Sequence, residues 1–343
     1  MKFVCFYCNK EKAGLAIRCD CGGFFRPVYD FKFRSRLLFN FPYIKRWVSL
    51  GETVTPILRY GKYTLKLEYF SPTFSYKDRG TKTLISYLAA NIPPGSRVNE
   101  DSSGNAGASI SAYASFAGLK PNIFVPEEAK EAKISQIRAY GARIHLVQGS
   151  REKVMDECLK APGILASHVL RPEFRDGIRL IPYEFMRQNG WKVPSSVVVP
   201  VSAGTLLLGV VYGFEHLYES GEIQKVPEII AAQTEYVSPL YHRLLGKEYF
   251  PPGKYESVAD ALVSQNPPLL DEMEEKVRRY GRSVLVKEEE ITENMQVLAK
   301  SGILVEYSSA VAMAAARKIK DDNPLVIMTG NGLKSMPFRT SFR

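Results

Sequence analysis

The sequence predicts a doubly wound α/β protein built on mainly parallel β-sheet, and three observations lead to this fold class. The chain has 343 residues, of which 45% are hydrophobic and 24% charged, so it can bury the core of one large or two medium domains. From about residue 96 onward, short strand-like runs alternate with helical ones, as in right-handed βαβ units. Polar, Gly- and Ser-rich loops follow several of the strand-like runs.

The predicted elements follow one another along the chain in a regular order. The strand-like runs are rich in β-branched residues and read SRVNEDSS, PNIFVP, ARIHLVQG, ILASHVL, SSVVVPVS, EIIAAQ and PLVIMTG. Helical runs follow the first five of them: AGASISAYASFAG, EAKISQIRAYG, REKVMDECLK, GIRLIPYEFMRQ and TLLLGVVYGFEHLYES. In such a fold, ligands bind where strands end and helices begin.

The first 30 residues form a separate Cys-rich module. Four of the five cysteines lie here, in a CxxC pair and a CxC pair that precedes two glycines: Cys5, Cys8, Cys19 and Cys21. Tetrahedral zinc takes four such thiolates from two tight turns, which predicts a zinc-ribbon-like site. The second pair has one intervening residue where two are usual, so a metal-free remnant is an equal alternative.

Charge and composition limit the cellular compartments and the classes of partner that we expect. The formal net charge is +10, but the basic residues are scattered, so we expect no nucleic-acid partner. A binding module for DNA or RNA, built on the Cys-rich start, is the alternative from a different class. The chain has neither a membrane-length apolar run nor a signal-like start, so we expect a cytoplasmic protein with no membrane partner.

Lys77 is the candidate catalytic residue. It lies in FSYKDRG, just before the helical run TKTLISYLAA. A partly desolvated lysine amine can form a Schiff base with an aldehyde. The alternative is a surface lysine paired with Asp78, and the other loops decide against it.

Two strand-end loops supply the remaining groups of a cofactor site. The loop SSGN (102–105) can hold a carboxylate at a helix N-terminus, and the amide of Asn105 can donate to a phenolic oxygen. The loop at 202–205 offers small residues and a hydroxyl at the next helix start, which suits a phosphate. With Lys77, these groups describe a site for pyridoxal 5′-phosphate, PLP.

Five segments, in this order and spacing, resemble the threonine synthase family of fold type II, tryptophan-synthase-β-like PLP enzymes: FSYKDRG, EDSSGNAGAS, PVSAGTLLLGV, VEYSSAVA and MTGNGLK. The Cys-rich start, with CDCGG followed by PVYDF, is similar to the start of many members of that family. The resemblance implies two mainly parallel-sheet domains, namely a large PLP-binding domain (31–95 with 180–343) and a smaller α/β domain (96–179). It also implies a homodimer.

The family's functional residues carry over by match. Lys77 would form the Schiff base and move protons on substrate carbons, and Asn105 would bind the cofactor's 3′ oxygen. Thr329 would hydrogen-bond the pyridine nitrogen, and this hydroxyl in place of a carboxylate suits elimination and replacement. The phosphate would be held by Ser202, Ala203, Gly204, Thr205 and Leu206. The substrate carboxylate would be held by Ser102, Ser103 and Gly104.

Three departures from the family pattern bear on the substrate. The residue before the lysine is Tyr76 where the family has Phe, LGETVTP lacks the family's second glycine, and Ser202-Ala203-Gly204 replaces Gly-Asn-Gly. Fewer glycines give the backbone less freedom to close on a phosphate. We therefore expect altered cofactor affinity or substrate fit.

Three arginines and one histidine are the candidates for contact with the substrate. Arg171, Arg175 and Arg179 recur every four residues, so on a helix they share a face that could grip a phosphate, although an exposed basic face explains the spacing equally well. His168, at a strand end, could approach the site.

The resemblance implies the reaction of the threonine synthase family, in which O-phospho-L-homoserine and water give L-threonine and phosphate. The alternative is a related PLP-dependent enzyme acting on O-phosphoserine, to form cysteate or cysteine, or on serine or threonine by deamination. For the reactions of O-phospho-L-homoserine and of O-phosphoserine alike, the partner is a phosphorylated amino acid.

Overall fold

Two parallel β-sheets and a small N-terminal hairpin organise the molecule. The structure is a computed structural model, and it describes residues 1–129, 131–149, 151–251 and 257–334. The strands are β1 (Lys2–Cys5), β2 (Phe25–Val28), β3 (Ile57–Tyr60), β4 (Tyr63–Leu67), β5 (Arg97–Glu100), β6 (Lys120–Pro126), β7 (Arg143–Val147), β8 (Ile164–Leu165), β9 (Ser196–Pro200), β10 (Glu228–Thr234), β11 (Gly281–Val286) and β12 (Leu325–Met328).

The strands pair in three sheets. The larger sheet has the order β11-β10-β9-β12-β4-β3, and all of its neighbours are parallel except β3 and β4. The smaller sheet, β7-β6-β5-β8, is parallel throughout. Strands β1 and β2 form the antiparallel N-terminal hairpin. Every residue of β9 and β12 is buried, as expected for parallel strands covered on both faces.

Eleven helices surround the sheets in the described part of the chain. They are α1 (Lys77–Asn91), α2 (Asn105–Phe116), α3 (Glu131–Ala139), α4 (Arg151–Lys160), α5 (Pro172–Gly177), α6 (Leu180–Gln188), α7 (Thr205–Glu219), α8 (Pro239–Leu244), α9 (Leu270–Tyr280), α10 (Glu288–Lys300) and α11 (Tyr307–Lys318). Two short 3-10 helices lie at Leu37–Asn40 and Gly332–Lys334. Within the described residues, no helix is both long and apolar enough to cross a membrane.

The predicted α/β fold class is confirmed, and each of the seven strand-like runs contains a strand. The sequence reading missed the β3–β4 hairpin and β11. It also missed β1 and β2 within the Cys-rich module. All strands of the smaller sheet lie between residues 97 and 165, inside the predicted small domain. The proposed domain boundaries themselves stay a prediction.

The α5–α6 segment (residues 172–188) packs against both α1 and α7, and glycines make the close approach possible. A Cβ added to Gly80 of α1 would lie 2.5 Å from the Phe174 ring. On the other side, a Cβ on Gly209 of α7 would lie 2.6 Å from the carbonyl oxygen of Arg175. Because real Cβ atoms do not come so close to other atoms, any larger residue at Gly80 or Gly209 would push the helices apart.

His216 of α7 is buried as a neutral imidazole beside this segment. Its Nε2 donates to the Phe31 carbonyl at 2.9 Å, and the Tyr183 hydroxyl lies 2.5 Å from Nδ1. Burial and the nearby Arg179 guanidinium lower the pKa of His216 from 6.5 to about 4. The folded protein therefore binds this proton less readily than the unfolded chain.

We expect His216 to make the protein less stable as the pH falls. Because its folded pKa is depressed, the unfolded chain takes up the proton first, and stability is lost between pH 6.5 and about pH 4. The loss should amount to ~3 kcal/mol. Denaturant unfolding of His216→Gln across this range should give a flatter pH dependence than the unsubstituted protein. Equal slopes in the two proteins would contradict the assignment.

Candidate functional site

A cleft of about 1250 Å³ opens where β5, β9 and β12 reach their carboxyl ends. The loops after these strands lead into it from both sheets. It is lined by every residue predicted to bind the cofactor or the substrate carboxylate: Lys77, Ser102, Ser103, Gly104, Asn105, Ser202, Ala203, Gly204, Thr205, Leu206 and Thr329. Groups more than 250 residues apart in sequence therefore meet in one site.

Lys77 begins α1 and points into the cleft. Its Nζ donates to the Tyr76 hydroxyl at 2.8 Å and lies 4.7 Å from the centre of the Tyr76 ring. The Phe174 ring lies 5.9 Å from the same nitrogen. The amine thus sits between aromatic rings, in the partly desolvated surroundings that Schiff-base chemistry needs.

Asp78 does not pair with Lys77, contrary to the surface-lysine alternative. Its carboxylate is buried and accepts hydrogen bonds from the Thr73 backbone N–H (2.7 Å), the Thr73 hydroxyl (2.6 Å) and the Ser109 hydroxyl (2.6 Å). Burial raises the pKa of Asp78. Since Ser109 lies on α2, these bonds fix the start of α1 against the helix that follows the SSGN loop.

Arg79 fixes the first turn of α1 through a network of buried ion pairs. Its Nε lies 2.9 Å from Glu68, and its Nη1 lies 2.5 Å from Glu184. Lys66 adds a third contact, 3.2 Å from Glu184. Removing one member would leave an uncompensated buried charge, which typically costs about 3–5 kcal/mol. The residues beside Lys77 in the KDR triplet are therefore structural.

The loop predicted to bind the cofactor phosphate (residues 202–205) leads into α7, and Gly204 precedes the first residue of that helix. Its φ of +96° lies in the left-handed region that favours glycine. A Cβ at this position would also lie 2.5 Å from the sulfur of Met273 on α9. The first backbone N–H groups of α7 lack helical acceptors, so this end of the cleft attracts an anion.

Thr329 follows β12 at the opposite side of the cleft. Its hydroxyl lies 2.8 Å from the Ser309 hydroxyl of α11. Ser309 Oγ also accepts from the backbone N–H of Thr329 (3.0 Å) and of Gly330 (2.9 Å). These bonds hold the Thr329 side chain in place as a neutral hydrogen-bonding group.

Asn105 begins α2 and faces Glu306. Its Nδ2 donates to the two carboxylate oxygens of Glu306 at 2.9 and 3.1 Å. A primary amide carries two N–H bonds, so one of them is available to a cofactor oxygen where the other is shared between both oxygens of Glu306. Glu306, the residue before α11, is a cleft residue that the sequence reading quoted within VEYSSAVA without giving it a role.

The SSGN loop is held close to the start of α2. The Ser102 hydroxyl accepts from the Gly104 backbone N–H at 3.3 Å. A Cβ on Gly107 would lie 1.9 Å from the Ser102 carbonyl oxygen, so only glycine fits there. The loop amides therefore keep a fixed position at the rim of the cleft.

The expectation that three arginines grip a substrate phosphate requires correction. Arg171, Arg175 and Arg179 are at most 2% exposed and do not line the cleft. Their guanidinium groups donate to backbone carbonyls: Arg171 to Leu165 (2.7 Å) and Leu15 (2.6 Å), Arg175 to Val169 (2.8 Å) and Phe25, and Arg179 to Asn40 (2.6 Å). The expected single helical face is not formed, because only Arg175 lies within α5, whereas Arg171 precedes α5 and Arg179 precedes α6.

In the part of the chain that the structure describes, two basic side chains line the cleft in addition to Lys77. Lys334 donates to the Thr73 carbonyl at 2.8 Å, and burial lowers its pKa. His168 lies with its Nδ1 2.7 Å from the buried Glu100 carboxylate. The sequence reading anticipated His168 from its place at a strand end. It quoted Lys334 within MTGNGLK without giving it a role.

The four N-terminal cysteines cluster as free thiols. All four sulfur atoms lie within 4.8 Å of one another: Cys5, Cys8, Cys19 and Cys21. The Cys5–Cys21 and Cys8–Cys19 sulfur pairs are 3.4 and 3.5 Å apart. Gly23 allows this approach, since a Cβ there would lie 2.6 Å from the Cys5 sulfur. The sulfur–sulfur distances in this cluster are similar to those around a tetrahedral zinc ion, whose Zn–S bonds are about 2.3 Å long.

Comparison with known proteins defines the class to which this site belongs. Residues 48–330 match the family described as "Pyridoxal-phosphate dependent enzyme", and the chain belongs to that family. The residues of the cleft fit the cofactor, since an amine, an anion-binding helix start, a neutral hydroxyl and an amide converge there.

Among curated relatives, the chain is similar to threonine synthases. The enzyme from Methanocaldococcus jannaschii is 28% identical, and the match covers 96% of this chain and 92% of that protein. The one from Mycobacterium tuberculosis is also 28% identical, over 79% of this chain and 76% of its own length. The resemblance read from the sequence is confirmed.

A solved structure shares the fold. Maize serine racemase superposes with a TM-score of 0.69 at 20% identity, covering 82% of this chain and 88% of the racemase. At this identity the likeness supports the fold type II architecture.

Replacing Gly204 with alanine should weaken PLP binding. The new Cβ would strain the left-handed backbone and meet Met273, so the N-terminus of α7 would shift from the cleft. We expect the PLP dissociation constant to rise about tenfold. Gly221→Ala is the matched control, because Gly221 has a φ of +82° with open space around it. Equal affinities in both variants would show that the packing of Gly204 does not shape the cofactor site.

Proposed function

We propose that this protein is a threonine synthase that converts O-phospho-L-homoserine and water into L-threonine and phosphate. The observation that carries the cofactor chemistry is the meeting of Lys77, the start of α7 and Thr329 in one cleft. The substrate is supported by the curated relative that matches 96% of the chain, including its Cys-rich start.

The side chains of the cleft divide the chemical work. When bound, PLP supplies an electron sink that stabilises negative charge on the substrate carbons. As a positioned general base, Lys77 Nζ would take the proton from Cα of the substrate, release it, and then take one from Cβ. The C–O bond to the γ-phosphate breaks, Cγ and Cα each receive a proton, and water adds its hydroxyl at Cβ. Thr329, a neutral group, would hydrogen-bond the pyridine nitrogen of the cofactor. The backbone amides of residues 102–104 would hold the substrate carboxylate.

The substrate phosphate depends on basic groups other than the arginines. Among the residues the structure describes, the basic side chains lining the cleft are Lys77, Lys334 and His168. Since Lys77 is engaged in the reaction, Lys334 and His168 are the candidates to neutralise the phosphate.

A second candidate has a specific observation in its favour. The three arginines that would suit a phosphate are buried away from the cleft, which leaves fewer cations for a doubly charged leaving group. This favours a related enzyme that deaminates serine or threonine, with the same Lys77 and the same cofactor cradle. Replacement on O-phosphoserine would use that cradle too, but it would need the same phosphate contacts as O-phospho-L-homoserine.

The first test is turnover of O-phospho-L-homoserine by the PLP-loaded protein. We expect phosphate and threonine to appear in equal amounts. Lys77→Ala should lower kcat/KM by at least ~10³-fold because the proton-transfer group is gone, whereas the surface variant Lys62→Ala should leave it unchanged. Release of ammonia from serine or threonine, or phosphate release from O-phosphoserine alone, would transfer the assignment to the second candidate.

We propose further that Cys5, Cys8, Cys19 and Cys21 hold one structural Zn²⁺. The support is the convergence of four thiols on two turns, with Gly23 leaving room for them. Thiolates are the ligands that structural zinc prefers, and metal binding there would contribute to folding of the module.

Metal analysis tests the zinc site directly. The purified protein should contain about one zinc per chain. Cys8→Ser should lose the metal and lower the unfolding temperature. Cys158→Ala, which changes a buried cysteine of α4 that lies far from the cluster in sequence, should retain it. A metal-free protein with an unchanged melting temperature after Cys8→Ser would identify the cluster as a remnant.

A further inference from the structure

The three arginines of residues 171–179 connect the start of the chain to the α5–α6 segment. Each donates to one carbonyl of the N-terminal segment (residues 1–47): Arg171 to Leu15, Arg175 to Phe25 and Arg179 to Asn40. These are charge-assisted hydrogen bonds made in a buried setting, which are stronger than hydrogen bonds between neutral groups. The arginines therefore bind the N-terminal segment firmly to α5 and α6.

Asp176 extends this connection. It forms an ion pair with Arg179 at 2.7 Å and accepts hydrogen bonds from the hydroxyls of Tyr29 and Tyr43, each at 2.7 Å. The Arg179 guanidinium lies 4.2 Å from the centre of the Tyr29 ring. Asp176 and Arg179 are fully buried and the two tyrosines are partly buried, so the contact resembles a domain core more than a mobile surface.

The α5–α6 segment in turn separates the two helices that carry the ends of the cofactor site. Helix α1, which begins at Lys77, packs on it through Gly80 and Gly177, where a Cβ at Gly177 would lie 2.4 Å from the Arg79 carbonyl. Helix α7, which begins at Thr205, packs on it through Gly209. With this packing, a shift of α5 must change the spacing between Lys77 and the start of α7.

A second set of contacts connects the N-terminal segment, through α9, to the loop at Gly204 that precedes α7. The Tyr7 hydroxyl, which lies between Cys5 and Cys8 in sequence, donates to Asp271 of α9 at 2.5 Å. Arg26 forms an ion pair with Glu275 of α9 at 3.6 Å. On the same helix, Met273 contacts the position where a Cβ of Gly204 would lie.

We propose that Arg171, Arg175 and Arg179 are positioning residues, through which the N-terminal segment sets the spacing between Lys77 and the phosphate-binding start of α7. The segment thereby controls affinity for PLP although no residue of it lines the cleft. This role depends on the family's cofactor and is independent of which amino acid is the substrate.

PLP titration of purified variants tests the proposal. In Arg175→Lys the charge remains, but a lysine ammonium cannot reach the Phe25 and Val169 carbonyls together as the guanidinium does. We expect its PLP dissociation constant to rise at least tenfold, and the absorption spectrum of the bound cofactor to change. Cys8→Ser, which acts from the other end of the N-terminal segment, should shift affinity in the same direction. Arg282→Lys, at a half-exposed ion pair on β11, should leave affinity unchanged.

A matched destabilised variant separates positioning from general loss of stability. Leu298→Ala removes a buried side chain of α10, which does not line the cleft, and should lower the unfolding temperature of the apoprotein without altering PLP affinity. Unchanged PLP affinity in both folded Arg175→Lys and Cys8→Ser would overturn the proposal. So would a Leu298→Ala protein that loses PLP affinity as much as Arg175→Lys does.

Failure of the proposed reaction can be distinguished from failure of the proposed positioning role. An unsubstituted protein that binds PLP but releases no phosphate from O-phospho-L-homoserine would refute the proposed reaction and leave the positioning role open to the same titration. An Arg175→Lys protein that does not fold would be replaced in the comparison by Tyr29→Phe, which removes only the hydroxyl that contacts Asp176. We expect the same loss of PLP affinity in that variant, and unchanged affinity would count against the proposal.

Discussion

The close packing of α1 and α7 on the α5–α6 segment is the constraint on which the site depends. A cofactor bound at one end to Lys77 and at the other to the start of α7 requires a fixed distance between two helices that come from distant parts of the chain. Glycines at 80, 177 and 209 remove the side chains that would widen the contacts. The chemical residues contribute only because this backbone geometry is fixed first.

The charges next to Lys77 serve the same end. Asp78 and Arg79 are buried and point away from the cleft, where they bond to Thr73, Ser109, Glu68 and Glu184. They hold the first turn of α1 in place, while Lys77 alone turns toward the cleft. A single short stretch thus combines one reactive side chain with two anchors, because successive helical residues point about 100° apart.

Much of this could be predicted from sequence, and the failures have physical causes. The alternation of strand-like and helical runs and the loops at strand ends depend on local patterns, so they appear in the fold as expected. The i, i+4 spacing of Arg171, Arg175 and Arg179 predicted one exposed helical face, but the helix is broken between α5 and α6 and all three side chains are buried. Their direction depends on carbonyls more than 100 residues upstream, which no local pattern reveals. The Asn105–Glu306 contact, across 201 residues, was missed for the same reason.

A crystal structure of the protein with PLP is the most direct test of the central claim, that Lys77 and the start of α7 bind the two ends of the cofactor. The account predicts electron density continuous with Lys77 Nζ, with the phosphate on the backbone N–H groups of residues 202–206 and the ring nitrogen facing Thr329. A cofactor bound elsewhere, or a phosphate held by Arg171, Arg175 or Arg179 in a rearranged α5, would contradict it.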